Sequence, residues 1–264
     1  QSWIVMGAQL SELGADRSAD PELALMWGMH LYARLLFDGG ATGITPQQRD
    51  AFCDDVEERV FTALPEIDGR PLLMLAAAKL LYFVHRGHDE LADSLAEQAF
   101  AQGTAFAAAF SMLGQIALFR GDTERAADLF TRAIAMSERG SDFHLYLLTF
   151  LLTAHLAAGD RTATLGTFGE LCALNPRSQF DVGLFLAEPR DDGMDPMLRA
   201  AFDMFDLDRV RNAVAYLYFI MGRQLRIEAQ RERIMAGVVH HARRRFGDAA
   251  IPDDVRASVP RLLA

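Results

Sequence analysis

The sequence predicts an all-α protein assembled from helical hairpins, and three observations support this fold class. Apolar residues recur with helical spacing along most of the chain, and no segment shows a convincing strand pattern. Glycine-centred turns also return at a nearly constant interval: Arg86-Gly87-His88, Arg120-Gly121-Asp122 and Ala158-Gly159-Asp160. The first two glycines are 34 residues apart, and the third follows 38 residues later, which is longer by about one helical turn. Each turn therefore joins two antiparallel helices.

The size of the residues that follow each turn is also periodic. The residue five places after each glycine is small. The residue nine places after it is alanine or phenylalanine, and the residue twelve places after it is alanine or leucine. These positions are Ala92, Ala126 and Thr164; Ala96, Phe130 and Phe168; and Ala99, Ala133 and Leu171. A small residue lets the paired helices cross closely, so this pattern predicts tightly packed hairpins.

These residues resemble the signature of the tetratricopeptide repeat (TPR) family. In the second unit the matching positions are Phe110, Leu113, Gly114, Ala117, Gly121, Ala126, Phe130 and Ala133, with Phe110 where the family usually has tryptophan. The third unit matches through Leu148, Leu151, Leu152, Gly159, Phe168 and Pro176, and the first carries Lys79-Leu80 where Leu-Gly is usual. The resemblance implies repeats at about 73–106, 107–140 and 145–178. It also implies a solenoid of stacked hairpins.

The flanking segments are predicted to complete this solenoid as an irregular first repeat and as capping helices. Residues 21–66 give helices from Pro21 to Phe37, capped by Asp20, and from Thr45-Pro46 to about Leu64, separated by Gly39, Gly40 and Gly43. The TPR-like array then covers residues 1–184, and residues 185–195 form a hinge or loop. Residues 196–264 form a degenerate repeat or cap, with helices over Pro196–Phe205, Asp208–Met221 and Gln224–Phe246.

Charge and composition exclude several classes of protein. The net charge is −10, but residues 1–205 carry −14 and residues 206–264 carry +4, so an acidic body precedes a basic tail. This balance argues against nucleic acid as the partner. No apolar run reaches the about 18–20 residues of a membrane span, and Gln1–Leu10 lacks signal-peptide features. Two cysteines are too few for a disulfide framework, so we expect a cytoplasmic protein. Because the sequence starts without methionine, we also expect it to be cut from a longer chain.

No pattern in the sequence predicts catalysis or a cofactor. Nucleophile elbows, phosphate-binding loops and His-Glu-x-x-His zinc motifs are missing, so we expect a non-enzyme that needs no metal. His85 and His88 with Asp89 are one alternative, since their spacing could place two metal ligands together, but a zinc site needs three or four ligands, so we expect solvated turn residues. Adjacent His240 and His241 point about 100° apart on a helix. The acidic cluster at 54–58 is predicted to be a solvated face.

The TPR resemblance also implies which residues line the concave groove. Carried onto this sequence, with Phe150 added as a neighbouring aromatic residue, the predicted groove comprises Met74, Leu81, Val84, Ser111, Gln115, Leu118, Phe119, Tyr146, Thr149, Phe150 and Thr153. The groove lacks the cationic and amide side chains that would clamp a peptide carboxylate. An apolar groove with a few hydroxyl and amide groups suits an amphipathic helix. It equally suits the chain's own C-terminal helices.

These features favour a non-catalytic protein–protein interaction module. The chain resembles the TPR portion of bacterial signalling proteins and transcriptional regulators, which implies a regulatory or scaffold role and a protein, peptide or second copy as partner. Arg243-Arg244-Arg245 at the end of a basic helix suits an acidic surface on that partner. The alternative is a sensor that binds a peptide or apolar small molecule among Phe119, Tyr146, Phe150 and His155.

Overall fold

The structure is a computed structural model that describes residues 2–38, 45–103 and 106–263. These residues contain helices and turns but no strand, which confirms the all-α prediction. Five short 3₁₀ helices lie among the α-helices, and the predicted glycine turn at Gly39, Gly40 and Gly43 lies outside the described residues. The described α-helices are α1 (Ser2–Glu12), α2 (Pro21–Asp38), α3 (Pro46–Ala63), α4 (Pro71–Val84), α5 (Asp89–Ala101), α6 (Ala107–Arg120), α7 (Thr123–Ala135), α8 (Asp142–Ala158), α9 (Arg161–Leu174), α10 (Ser178–Asp181), α11 (Gly183–Leu186), α12 (Pro196–Asp203), α13 (Leu207–Ile220), α14 (Glu228–Phe246) and α15 (Asp253–Ser258).

The helices pack mostly against their neighbours in sequence and form two compact units. The first unit ends at Ile116 and the second begins at Ala117, within α6. None of the helices in the described ranges is long and apolar enough to cross a bilayer.

In the first unit, α4 is the central helix. It packs against α2, α3 and α5, and every residue from Ala77 to Val84 is buried. Even Lys79 is inside, where its Nζ lies 4.4 Å from the ring centroid of Tyr32 and its charge gains a cation–π contact. The predicted helix starts are confirmed by their caps: Asp20 Oδ1 accepts hydrogen bonds from the first turn of α2, and Thr45 forms a capping box with Gln48.

Two of the predicted glycine turns share one construction. Gly121 and Gly159 have φ of +94° and +83°, the left-handed region that favours glycine. At each turn the glycine and the following aspartate donate hydrogen bonds back to the preceding helix, as in a Schellman cap. Asp122 and Asp160 then cap the next helix, accepting from Arg125 N at 3.1 Å and Ala163 N at 2.9 Å. A Gly-Asp pair thus ends one helix and starts the next.

The first glycine turn is built differently. Helix α4 ends at Val84, and its left-handed cap is His85, whose φ of +56° is the only positive value of a non-glycine residue in the described chain. Gly87 also has a positive φ, but His88 makes no side-chain cap at the start of α5. The weaker match to the TPR signature in this unit therefore accompanies a different turn.

In the second unit, α8 packs against α7 and α9, and the small residues of the periodic pattern are buried together with Phe130. Ala126, Phe130 and Ala133 of α7 are fully buried, as is Thr164 of α9. This burial explains the periodic size pattern, because a larger side chain at Ala126 or Ala133 would have no space.

Helix α14 packs across the rest of the second unit. It contacts α8, α11 and α13, and its N-terminal segment reaches the α6–α7 turn, where Arg226 N donates to Phe119 O at 2.9 Å. Gly237 brings the helix against the backbone of the loop after α11, since a Cβ there would lie closer than 3.0 Å to Ala187 O. The close approach is the physical reason for glycine in the middle of this helix.

The C-terminal boundaries differ from the predicted ones by a few residues. Helix α14 begins at Glu228 rather than Gln224, because Gly222–Gln224 forms a 3₁₀ helix and the chain then runs extended through Leu225 and Ile227. Helix α12 ends at Asp203 instead of Phe205. Residues 188–195 form a loop that folds on itself, with Glu188 N donating to Gly193 O at 2.7 Å and with Met194 buried.

Candidate partner-binding surface

A strip of aromatic side chains runs along one face of α8 from solvent into the core. Phe143, Tyr146 and Phe150 are spaced three and four residues apart, so they share a helix face. The ring centroids of Phe143 and Tyr146 are 6.4 Å apart, and those of Tyr146 and Phe150 are 4.8 Å apart. Phe150 in turn lies 5.7 Å from Phe130 of α7. We call Phe143, Tyr146 and Phe150 the α8 strip.

Exposure decreases along the α8 strip. Phe143 keeps 37% of its surface exposed, Tyr146 is half-buried, and Phe150 is buried. The strip begins at a well-defined helix start, because the Ser141 hydroxyl accepts a hydrogen bond from His144 N at 3.2 Å. Its solvent end is therefore an aromatic surface held in place by packed neighbours.

The threonines on the predicted groove face of α8 serve the helix itself. Thr149 Oγ1 donates to Leu145 O at 3.0 Å, and Thr153 Oγ1 donates to Thr149 O at 2.8 Å. Thr149 is half-buried and Thr153 is buried. The hydroxyl donors are used within the helix, which leaves the oxygens as acceptors.

The predicted groove residues of α6 are buried. Gln115 Nε2 donates to both the carbonyl and the hydroxyl of Ser111 at 3.2 Å. Leu118 and Phe119 are buried as well, and the carbonyl of Phe119 accepts the hydrogen bond from Arg226 N that precedes α14. The end of α6 is thus covered by the chain's own C-terminal segment, the alternative that the sequence had left open.

The predicted groove residues of α4 are also buried: Met74, Leu81 and Val84 each have at most 2% of their surface exposed. Of the eleven predicted groove residues, nine are buried, and only Tyr146 and Thr149 are half-buried. Sequence reasoning did not include Phe143, the most exposed member of the strip. Its spacing of three residues from Tyr146 and seven from Phe150 was the signal that could have found it.

The acidic residues at 54–58 form the predicted solvated face only in part, because Asp54 and Glu58 are exposed while Asp55 and Glu57 are half-buried. Glu57 pairs with Arg86 at 2.7 Å and with His88, while Asp54 also pairs with Arg86. Burial raises the pKa of Glu57, but hydrogen bonds from Arg86 and His88 and their charges outweigh it, so the pKa lies below its ordinary value. The cluster ties α3 to the α4–α5 turn because these charges satisfy one another.

Of the two histidines that raised the metal alternative, His85 is the left-handed cap of α4 and His88 is the residue before α5. His88 contacts Glu57, and His144 Nδ1 lies 2.9 Å from Ser137 Oγ. Burial lowers the pKa of His155, against the opposing charge of Asp160. In the described part of the chain, no three His, Cys, Asp or Glu side chains come together as metal ligands would.

The arginines of the C-terminal helices contact main-chain carbonyls of this chain. Arg223 Nε donates to Phe219 O at 2.9 Å, Arg233 donates to Ala157 O, and Arg245 donates to Phe202 O. The acidic partner surface predicted for Arg243-Arg244-Arg245 stays a prediction. The hydrogen bonds of Arg223, Arg233 and Arg245 fasten α13 and α14 within the second unit.

Comparisons with known proteins identify no family for this chain. No family model matches it, and neither a curated protein nor a solved structure is significantly similar to it.

Proposed function

We propose that this chain is a non-catalytic protein–protein interaction module of TPR type, serving as the regulatory or scaffold part of a bacterial signalling protein or transcriptional regulator. The repeated Gly-Asp turns at Gly121 and Gly159 and the buried small residues of α7 support the helical-hairpin assignment. The finer assignment to the TPR family depends on the resemblance of the repeats.

The observation that carries the proposal is the exposed end of the α8 strip. Phe143 and Tyr146 are aromatic, lie on the groove-forming helix of the third repeat and remain accessible, whereas nine of the eleven predicted groove residues are buried. Aromatic side chains that are half-covered and held by packing are typical anchors of protein interfaces, because little entropy is lost when a partner covers them.

The partner that this surface fits is an amphipathic helix with a basic polar face. The apolar face of such a helix would cover Phe143 and Tyr146. Two acidic side chains, Glu138 and Asp142, are exposed where α8 begins, with one arginine, Arg139, between them in sequence. Complementary charge would speed association and orient the helix.

Charge substitutions on α8 test the proposal. We expect Phe143→Glu and Tyr146→Glu to abolish capture of a stoichiometric protein partner from a lysate of the source organism, because a carboxylate in a desolvated interface costs several kcal/mol. Phe143→Glu should leave folding intact, since the site is exposed and an acidic residue suits the first turn of a helix.

Leu165→Glu on α9 is the matched control. Leu165 is an exposed apolar residue of the same unit, with 46% of its surface accessible, and lies outside the strip. Partner capture that survives in both α8 variants, or that Leu165→Glu abolishes equally, would refute the proposed surface. Co-purification of a small molecule by native mass spectrometry, without a protein partner, would favour the sensor alternative.

A further inference from the structure

A positively charged pocket lies where α12, the loop 188–195 and the C-terminal half of α14 meet. Its volume is about 220 Å³. Met194 and Phe202 form its apolar wall. The polar residues that line it are Arg199, Asp203, His241, Arg244 and Arg245. Three guanidinium groups thus face one aspartate in a chain whose overall charge is −10.

The three arginines are held in place mainly by neutral acceptors. Arg199 donates to Asp191 O, and Arg244 Nη1 donates to the same carbonyl at 3.2 Å. Arg245 donates to the carbonyls of Phe202 and Asp203. Main-chain carbonyls orient a guanidinium without neutralising it, so the positive charge persists in the pocket.

Only one carboxylate in the described chain forms an ion pair with these arginines. Asp191 Oδ1 lies 2.9 Å from Arg244 Nη1, but the Asp191 side chain is mostly exposed, where ion pairs are weak. Arg244 keeps 48% of its side-chain surface exposed and can therefore reach a bound molecule. The ion pair therefore offsets part of the positive charge of Arg244 and leaves the charges of Arg199 and Arg245.

His241 indicates the same excess of positive charge. It is buried, and its Nε2 lies 3.1 Å from Glu188 O. Burial lowers the pKa of His241, and the positive charges of Arg199, His240 and Arg244 lower it further. Positive charge around the ring thus adds to the effect of burial, and a bound anion would oppose it.

A second depression of about 370 Å³ lies on the other side of Arg244, which lines both. Pro189, Ala236 and Leu262 give it apolar surface, and His240 and Arg243 add polar groups. Arg243 is already paired with Asp248 at 2.9 Å, so this depression is less strongly charged than the first. The first pocket thus offers a subsite for an anion, and the depression beside it offers a partly apolar subsite.

The helix dipole explains only part of this arrangement. Cations are favourable near the C-terminal end of α14, which accounts for Arg243, Arg244 and Arg245. It does not account for Arg199, which comes from α12 and turns toward the same pocket. Convergence of arginines from two helices is what a bound anion requires.

We propose that this pocket binds the phosphate group of a small organic phosphate. The guanidinium groups of Arg199, Arg244 and Arg245 would donate to the phosphate oxygens, for which their planar fork is suited. The organic part would lie across Arg244 in the second depression. This site is independent of the α8 strip, so either proposal can fail without the other.

The test is titration of the full chain with inorganic phosphate and with adenosine monophosphate, followed by calorimetry at constant ionic strength. We expect saturable binding of both, tighter for the organic phosphate. Arg199→Gln and Arg244→Gln should each weaken binding about tenfold or more, because each removes charge-assisted hydrogen bonds. Arg132→Gln on α7, an exposed arginine outside the pocket that pairs with Asp128 at 3.8 Å, should bind like the parent.

A measurement on the unaltered protein keeps the proposal testable if these variants fold poorly. Phosphate should shift the ring resonances of His241 but not those of His144, a buried histidine of the same unit outside the pocket. Absence of saturable binding at millimolar concentrations, or equal shifts at both histidines, would overturn the site. Equal affinity for the two phosphates would overturn the role of the second depression.

Discussion

Replacement of Gly121 by alanine tests how α14 packs against the α6–α7 turn. Gly121 has φ +94°, a conformation that costs a residue with a Cβ roughly 1–2 kcal/mol. The new Cβ would also lie closer than 3.0 Å to Ile227 Cγ1 and 3.2 Å from Gln230 Oε1. Overpacking of this kind typically costs about 1–3 kcal/mol.

Part of this clash can relax, because Ile227 keeps 45% of its surface exposed and its side chain can move. We therefore expect Gly121→Ala to lower the free energy of unfolding by about 2–4 kcal/mol. Urea denaturation followed by circular dichroism measures this change.

Gly140→Ala is the matched control for the backbone contribution. Gly140 has a similar φ of +79°, but a Cβ there would have no neighbour within 4 Å. This variant should cost only about 1–2 kcal/mol. Adding Ile227→Ala to Gly121→Ala should recover part of the excess. Equal losses for the two glycine variants, or no recovery in the double variant, would refute the packing of α14 described here.

The remaining predictions concern the core of α7 and the ion cluster of α3. Ala126→Leu should destabilise by about 1–3 kcal/mol, because Ala126 is fully buried, whereas Ala135→Leu on the exposed end of α7 should be nearly neutral in the same denaturation assay. Glu57 has a lowered pKa, so its stabilisation is complete above its ordinary value of 4.5 and is lost as the pH falls through the lowered value. Glu57→Gln should cost up to about 1 kcal/mol at neutral pH and should flatten the loss of stability in acid; an unchanged acid profile would contradict the ion cluster.

The helices and two turns could be predicted because their causes are local. Gly121 and Gly159 need a left-handed conformation, and the aspartate after each caps the next helix, so spacing and residue type suffice. The turn after α4 could not be predicted to the residue, because His85 adopts the left-handed cap two positions before Gly87. Nothing in the local sequence marks His85, rather than Gly87, as the residue that ends the helix.

The candidate surface could be predicted only in part, because burial depends on contacts between distant segments. The resemblance to the TPR family placed both Tyr146 and Phe119 in the predicted groove. In the structure Tyr146 is half-buried, while Phe119 is buried next to the segment before α14. The hydrogen bond from Arg226 N to Phe119 O brings the segment before α14 against the end of α6. Periodicity within one helix contains no information about such contacts.

Site-specific photo-crosslinking is the measurement that tests the proposed α8 surface most directly. A photoreactive phenylalanine analogue would replace Phe143 in one protein and Leu165 in another, both at exposed positions of the second unit. We predict that position 143 crosslinks to one partner helix whose polar face is basic, and that position 165 gives no such product. Crosslinking at position 165 but not at 143, or at neither position with the partner bound, would contradict a partner on the α8 strip.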